Sequence, residues 1–428
     1  MTRLGSRAIL RALSSAAAAC ALGSGGPAAA SDLNLFSPDS FELTAILRAT
    51  ATDGPRSWVD GGLGKLATNG GGGDFRIRPK LGEANLVWTP QFGWAVSGTF
   101  VGTVQGGERF EAGMSQAFLT YRPMRGKTLA FSARAGLMWP PVSLEHEGAD
   151  WHVRDTATPS AINSWIGEEV RPLALEGNVT ATLGRHRLTA TAAVMAANDT
   201  SGTLLTFRGW ALHDRKTLGF RRQPLPPIDG DLEHMQAPFT HPLVDLHGGF
   251  AHRPGYYAKL AWRPPVPVRI ELFRYDNRAN PEVKNEDMEW GWRTRFNDAA
   301  LVADIGGSTE IRMQALSGRT KMGFPRDGRR WVDMRFRSAF VLVSRPFGDV
   351  GLAARAELFD TSNRGSIADD EYDETGWAAT LAAKREWGDV TGVLELIHVS
   401  SSREQFEELG LETKQQQTRL QADLRLRW

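Results

Sequence analysis

Apolar and polar residues alternate with a period of two along most of this sequence, in segments of about ten residues. Such alternation puts one set of side chains on each face of an extended strand, so each segment predicts a strand with one apolar face. Helical periodicity is nearly absent, and the chain is therefore predicted to be all-β. The last segment shows the pattern most cleanly, with an apolar face made of Leu420, Ala422, Leu424, Leu426 and Trp428.

The connections between these segments alternate between short turns and long polar stretches. This alternation of lengths is typical of a transmembrane antiparallel β-barrel, which has short periplasmic turns and long extracellular loops. A soluble β-sandwich would also bury the apolar faces, but it has no reason to alternate its connections. The prediction is a barrel of about sixteen strands: Phe41 to Thr50, Gly82 to Thr89, Gly93 to Val104, Gly113 to Arg122, Lys127 to Met138, Leu173 to Leu183, Arg187 to Ala197, Tyr256 to Arg263, Val268 to Tyr275, Trp292 to Ile305, Thr309 to Arg319, Asp333 to Arg345, Asp349 to Asp360, Gly376 to Glu386, Val390 to Ser400 and Gln416 to Trp428.

The strand count depends on how the stretch from Asn198 to Gly255 is interpreted. Thr203 to Asp214 looks strand-like, but counting it as a crossing would invert every later turn. We therefore place it inside one long extracellular loop. A barrel of eighteen strands, with one more crossing in this stretch, is the alternative.

The first 30 residues are predicted to be a signal peptide. Arg3, Arg7 and Arg11 precede an apolar stretch that is too short to span a bilayer, and small residues precede Ser31. The only cysteine, Cys20, lies within this segment, so the mature barrel, 31–428, is expected to contain no thiol. Basic and acidic residues are nearly balanced, at 50 and 49, which gives no reason to expect a nucleic-acid partner.

The C-terminal Trp428 closes an alternating strand with an aromatic side chain. This looks like the assembly signal of bacterial outer-membrane barrels, so the barrel-assembly machinery is an expected partner. Aromatic residues near other strand ends, such as Trp262 and Trp387, are typical of an interfacial girdle. These features predict the outer membrane of a Gram-negative bacterium, with outer-membrane lipid and lipopolysaccharide as surroundings.

Charged residues on the polar faces and in the third loop are the candidates for a channel. Arginine outnumbers lysine 41 to nine, and its planar fork suits oxyanions. Twelve arginines are predicted to line the pore: Arg48, Arg134, Arg187, Arg269, Arg293, Arg295, Arg312, Arg335, Arg337, Arg355, Arg419 and Arg425. The loop 139–172 is the candidate constriction, through Glu145, Glu147, Asp150, Arg154, Asp155, Glu168, Glu169 and Arg171. An acidic loop opposite basic walls would create a transverse field; a solvated surface loop and ion-paired arginines are the alternatives.

The stretch Gly136 to Gly177, which includes Trp139 to Glu145 and Ser160 to Arg171 of this third loop, resembles porins of the phosphate-selective porin O and P type. The resemblance implies a third loop folded into the lumen, an anion path lined by arginine and lysine, and a homotrimer. Lysine is scarce in this sequence, which departs from that pattern.

These observations predict a water-filled porin for passive diffusion of small hydrophilic or anionic solutes, without catalysis, cofactor or metal site. Two other classes stay open. A barrel hydrolase would use a histidine closely followed by a serine, which His398 and Ser400 suggest. An adhesin or structural barrel would have a narrow or plugged lumen, whereas a circumference of sixteen strands favours an open one.

Overall fold

The computed structural model describes residues 35–68, 76–106, 110–123, 126, 128–219, 221–228, 232–244, 253–367, 371–408 and 410–428. Sixteen antiparallel strands form a closed barrel in which each strand pairs with its neighbour in the chain and β1 pairs with β16. The strands are β1 Phe41–Thr52, β2 Arg76–Trp88, β3 Val96–Gln105, β4 Glu111–Tyr121, β5 Leu129–Leu137, β6 Leu173–Leu183, β7 His186–Ala197, β8 Gly255–Arg263, β9 Val268–Asp276, β10 Arg295–Ile305, β11 Thr309–Arg326, β12 Arg329–Phe347, β13 Val350–Asn363, β14 Glu374–Trp387, β15 Val390–Arg403 and β16 Lys414–Arg427.

Each of the sixteen predicted strands corresponds to one observed strand, so the predicted count is confirmed. The segment Thr203 to Asp214 does not cross the barrel wall, and its strand-like appearance was misleading. Its first half forms a helix, Thr203–Arg208, that is buried throughout.

Short turns connect the strands at one end of the barrel, which we call the turn end. Most connections at the other end, the loop end, are longer, although only residues 327 and 328 join β11 to β12 there. Several turns contain glycines with positive φ, such as Gly348 at 59° and Gly388 at 62°, between strands only two residues apart. A side chain with a Cβ is strained in that backbone region, so glycine makes these tight reversals possible. The predicted signal peptide, 1–30, lies outside the described residues.

The two faces of the wall differ in chemistry. Large apolar side chains such as Leu272, Leu358 and Leu381 point outward and are more than half exposed. Aromatic side chains on the outward face gather at the turn end, including Trp262, Phe347 and Trp387. The inward face carries mostly polar and charged residues, and many of them are buried, because segments from the loop end fold into the lumen.

Those segments carry the helical structure. The helices are α1 Ala161–Glu169, α2 Thr203–Arg208 and α3 Gln405–Glu408, with 3-10 turns at Pro38–Ser40 and Trp58–Asp60. Short two-stranded sheets pair His146–Glu147 with His152–Val153, and Gln223–Pro224 with Phe239–Thr240. Among the described helices, none has the length and apolar character needed to cross a membrane.

Candidate functional site

The third loop, residues 139–172, folds into the lumen and is held by carboxylates of the wall. Glu395 on β15 accepts hydrogen bonds from the backbone N–H groups of Ala157 and Thr158, both at 2.8 Å. Glu357 on β13 accepts one from the backbone N–H of Ala161 at 2.7 Å. These contacts join segments more than 150 residues apart, so the wall fixes the position of the loop.

Arg355 on β13 is the charged centre of this attachment. Its guanidinium donates to Glu145 of the loop at 2.8 Å and to Glu357 at 2.9 Å. It also donates to the carbonyl oxygens of Thr158 at 2.8 Å and Pro159 at 3.1 Å. The side chain has no solvent exposure. Arg355 is therefore the shared cation of two buried carboxylates and also donates to two loop carbonyls.

Apolar packing in the lumen complements these polar contacts. Helix α1 begins after Ser160, whose hydroxyl accepts the N–H of Asn163, and all of its residues are buried. Its Trp165 ring contacts Phe296 of β10 at 5.3 Å and Phe336 of β12 at 5.2 Å between centroids. The wall thus presents aromatic rings as well as charges to the inserted loop.

A second segment, residues 198–219, also occupies the lumen and packs on the third loop. Arg208 donates to Glu168 at 2.6 Å, and His213 lies 3.1 Å from the same carboxylate. Glu169 accepts the indole N–H of Trp165 at 2.7 Å and the backbone N–H of Leu204 at 2.8 Å. The sequence interpretation placed this segment in an extracellular loop and missed its role. The sequence did carry one indication of burial: this segment combines charged residues with the large apolar side chain of Trp210, a composition that a solvated loop rarely has.

The wall anchors this second segment through ion pairs on β16, β1 and β2, the strands that follow β15 around the barrel. Arg48 of β1 pairs with Asp214 at 2.6 Å and with Asp423 of β16 at 2.8 Å. Lys216 pairs with Glu83 of β2 at 2.6 Å. We call the segments 139–172 and 198–219 together the lumen plug.

Eight of the twelve predicted pore-lining arginines face inward, and four do not. The side chains that face inward are Arg48, Arg134, Arg187, Arg269, Arg312, Arg355, Arg419 and Arg425, on strands whose other inward positions are buried. Arg293, Arg295, Arg335 and Arg337 are exposed and occupy outward positions, so the prediction is wrong for these four. The reason is that Phe296 and Phe336 face inward against Trp165, which reverses the usual relation between polarity and face.

The predicted constriction residues are largely paired rather than free. Arg312 of β11 donates to Asp155 at 2.6 Å, and Arg154 pairs with Glu310. Arg171 donates to the carbonyl of Ser115 at 2.7 Å, and Asp150 accepts from Thr44 at 3.3 Å. Glu147 is an exposed member of the set. Where an acid and an arginine meet across the lumen, as Asp155 and Arg312 do, their charges offset each other and weaken the predicted transverse field locally.

Basic side chains gather on the wall at the turn end of the lumen, outside these pairs. A cavity of about 300 Å³ is lined by Arg187, Arg263, Arg269, Lys259 and Pro141, among others. Arg187 and Arg263 are directly opposite each other on β7 and β8. Glu271 pairs with Lys259 at 2.7 Å and with Arg269 at 2.9 Å. Arg263 was missed by the sequence interpretation, although it ends the polar face of its predicted strand.

Two neighbouring carboxylates of the plug have opposite pKa shifts. Burial alone would raise the pKa of Glu168, but Arg208 and His213 outweigh it and lower the pKa to about 2. Burial raises the pKa of Glu169 to about 7, and its N–H donors only partly oppose this effect. Glu168 therefore stays ionised, whereas Glu169 titrates near neutrality.

Raising the pH is expected to loosen the plug through Glu169. Its docked pKa of about 7 lies above the ordinary value of 4.5. The stabilisation of the docked plug that comes from protonated Glu169 is therefore fully present below pH 4.5 and is lost as the pH rises through 7. In planar-bilayer recordings, conductance should increase severalfold from pH 5 to pH 8, and the increase should shrink in Glu169→Gln. Glu147→Gln, an exposed position, serves as the control; equal pH profiles in all three proteins would contradict this assignment.

The His398 ring, which suggested a hydrolase together with Ser400, has other residues as its partners. The His398 ring lies 2.9 Å from the hydroxyl of Thr418 and packs against Trp377 of the outward face. In the described part of the chain, no group of three or more His, Cys, Asp or Glu side chains is arranged to hold a metal ion.

Solved outer-membrane proteins share this architecture. The outer membrane channel DcaP of Acinetobacter baumannii is 9% identical, with 92% of this chain and 99% of that chain covered and a TM-score of 0.55. An anion-selective porin from Comamonas acidovorans is 11% identical, with 91% and 99% covered and a TM-score of 0.50. No family model and no curated protein matches the chain. At these identities the likeness establishes the fold, a closed sixteen-stranded barrel.

Proposed function

We propose that this protein is an outer-membrane porin that lets small hydrophilic or anionic solutes diffuse through its lumen. The observation that carries the proposal is a closed barrel with an apolar outward face and a charged inward face. A barrel satisfies every backbone hydrogen bond within its wall, so such a surface is suited to a bilayer. The polar inward face is suited to water and dissolved ions.

The chain termini support an orientation with the turn end in the periplasm. The backbone N–H of Trp428 donates to the carbonyl of Leu43 at 2.9 Å, and the reverse bond measures 3.0 Å. Both termini of the barrel thus meet at the turn end, as an even strand number requires. Export by the segment 1–30, recognition of Trp428 by the assembly machinery and assembly as a homotrimer stay predictions.

The basic cavity at the turn end supports a preference for anions. Arg187, Arg263 and Arg269 line it, with Lys259 as its single lysine. This composition favours oxyanions, which arginine binds with two parallel hydrogen bonds. A phosphate-selective channel of the O and P type is the narrower form of this proposal, and the scarcity of lysine argues for a broader anion preference.

Removing the two facing arginines is expected to shift ion selectivity toward cations. In the variant combining Arg187→Ala and Arg263→Ala, the reversal potential under a salt gradient should shift toward the value of a cation-selective channel. The reason is that removing two positive charges lowers the local electrostatic potential. Arg345→Ala removes an exposed arginine from the outward face of β12 and is the matched control. An unchanged reversal potential in the double variant would remove this cavity from the ion path.

A non-conducting structural barrel is the second candidate, and one observation favours it. The lumen plug fills much of the loop end, with α1 and α2 buried throughout. Single-channel recording of the refolded protein in a planar bilayer separates the two functions. Discrete openings would support the porin, and a folded, heat-modifiable barrel without current would support the structural role.

A further inference from the structure

Three arginines form a row across the outward face of neighbouring strands. Arg295 of β10 is directly opposite Arg319 of β11, and Arg319 is directly opposite Arg335 of β12. Arg319 pairs with Asp333. In the described part of the chain, Arg295 and Arg335 have neither a hydrogen-bond nor an ion-pair partner. Like charges at directly opposite positions of a sheet destabilise it, so this row calls for a counter-charge from outside the chain.

The surrounding outward face does not supply that counter-charge. Four more cations lie beside the row, and three acids accompany them. The cations are Arg274, Arg293, Lys321 and Arg337, and the acids are Asp276, Asp333 and Asp360. Arg337, whose side chain is 68% exposed, pairs with Asp360 at 3.0 Å. Together with the three-arginine row, this patch carries seven cations and three acids, an excess of four positive charges.

The height of the row matches the outer boundary of a bilayer. On β12, Phe347 belongs to the aromatic group at the turn end, and Arg335 lies farther along the same outward face. With a rise of about 3.3 Å per residue and a tilt of about 40°, the two are separated by roughly 30 Å along the barrel axis. The apolar band of such barrels is about 25 Å tall. The arginines thus stand at the level of lipid headgroups.

An apolar groove adjoins the charged patch on the same outward face. It has a volume of about 1120 Å³ and runs across β7 to β14. Arg274 and Arg337 are at its margin toward the loop end. The part nearer the turn end is lined by Leu260, Leu272, Ala339 and Leu358. The cationic surface and the apolar surface therefore follow each other along the barrel axis, as the headgroup and acyl chains of a lipid do.

We infer that this outward surface binds a phosphorylated glycolipid of the outer leaflet, with headgroup phosphate on the arginine row and acyl chains in the groove. The inference rests on the proposed membrane location. Charge complementarity selects the phosphate, because arginine forms strong, paired hydrogen bonds with phosphate oxygens. The adjoining groove favours a lipid over free phosphate, because one lipid molecule contacts both the arginines and the apolar surface, whereas inorganic phosphate has no acyl chains to pack there.

Native mass spectrometry of the refolded barrel in detergent tests the inference. The probes are a glycolipid carrying two phosphate monoesters, the same glycolipid without phosphates, and inorganic phosphate. The wild type should bind the phosphorylated glycolipid at least tenfold more tightly than the dephosphorylated one. The variant combining Arg295→Gln and Arg335→Gln should lose that preference. Arg345→Gln, which changes an outward arginine of the same strand at the turn end, should keep it.

Three outcomes would overturn the inference. The first is unchanged glycolipid binding by the double variant. The second is binding of inorganic phosphate as tight as that of the glycolipid, which would assign the row to a free anion. The third is a change in oligomer mass in the double variant with unchanged lipid binding, which would assign the surface to a second copy of this chain. Because binding is measured without current, a barrel that fails to conduct can still bind the glycolipid.

Discussion

Replacing Arg355 with alanine is expected to raise the unitary conductance severalfold. The change leaves the carboxylates of Glu145 and Glu357 facing each other in a buried site without their shared cation. Breaking a buried ion pair in this way costs about 3–5 kcal/mol. Because Glu145 belongs to the third loop, undocking relieves the repulsion. Each 1.4 kcal/mol changes a population about tenfold, so the undocked fraction should rise by roughly a hundredfold or more.

Selectivity and stability measurements give this prediction its controls. The exposed carboxylates should also move the reversal potential toward cations, whereas Arg187→Ala should alter selectivity with little effect on conductance. Heat-modifiable migration on gels checks that the Arg355→Ala barrel has closed, since the strands pair through their backbones. A well-folded variant with the conductance of the wild type would show that the third loop does not limit the current.

Locking the second segment of the plug to the wall should reduce channel opening at least tenfold. A Cβ atom at Gly219 would lie 3.9 Å from the Cβ of Met114 on β4. Disulfides need a Cβ separation of about 3.5–4.5 Å. The backbone N–H of Gly219 already donates to the carbonyl of Met114 at 2.7 Å, so the two segments are held in place. Met114→Cys combined with Gly219→Cys should therefore form a disulfide without large rearrangement.

The expected signature is a redox-dependent current. Openings should be rare after oxidation and should return after reduction, because the disulfide prevents the segment 198–219 from leaving the wall. Cys20 is the only native cysteine and belongs to the predicted signal peptide, so no competing thiol is expected in 31–428. Met114→Cys alone controls for oxidation itself. Equal currents in both redox states would mean that solutes pass beside a stationary segment.

Strand positions were predictable because the physical cause of the pattern is local. A strand between an apolar exterior and a polar interior must alternate at every second residue, and the sequence records this directly. Leu420 and Asp423, for example, occupy the outward and inward faces of β16 as predicted. The alternating connection lengths then fixed the strand count.

The faces of four arginines and the plug were not predictable in the same way. Polar residues were predicted to face inward and apolar residues outward, but Arg335 faces outward and Phe336 inward. The reason is that Phe336 contacts Trp165, a residue of a distant loop. Likewise, α2 is a six-residue helix, too short to be stable alone, and Glu169 accepts hydrogen bonds from the N–H groups at its start. These features depend on contacts between segments far apart in the sequence, which periodicity does not report.

The pairing of Leu43 with Trp428 has a consequence for the order of folding. The barrel closes only when its first strand meets its last, so the seam between β1 and β16 joins the ends of the chain. Contacts of such large sequence separation form slowly, and until they form both edge strands expose unpaired backbone groups that can join other chains. Glu357 and Glu395 lie on late strands yet hold the third loop, so that loop can dock only once most of the wall exists. Chain closure and filling of the lumen are therefore expected to be late, coupled events, and a chain truncated before Trp428 should aggregate rather than form a smaller barrel.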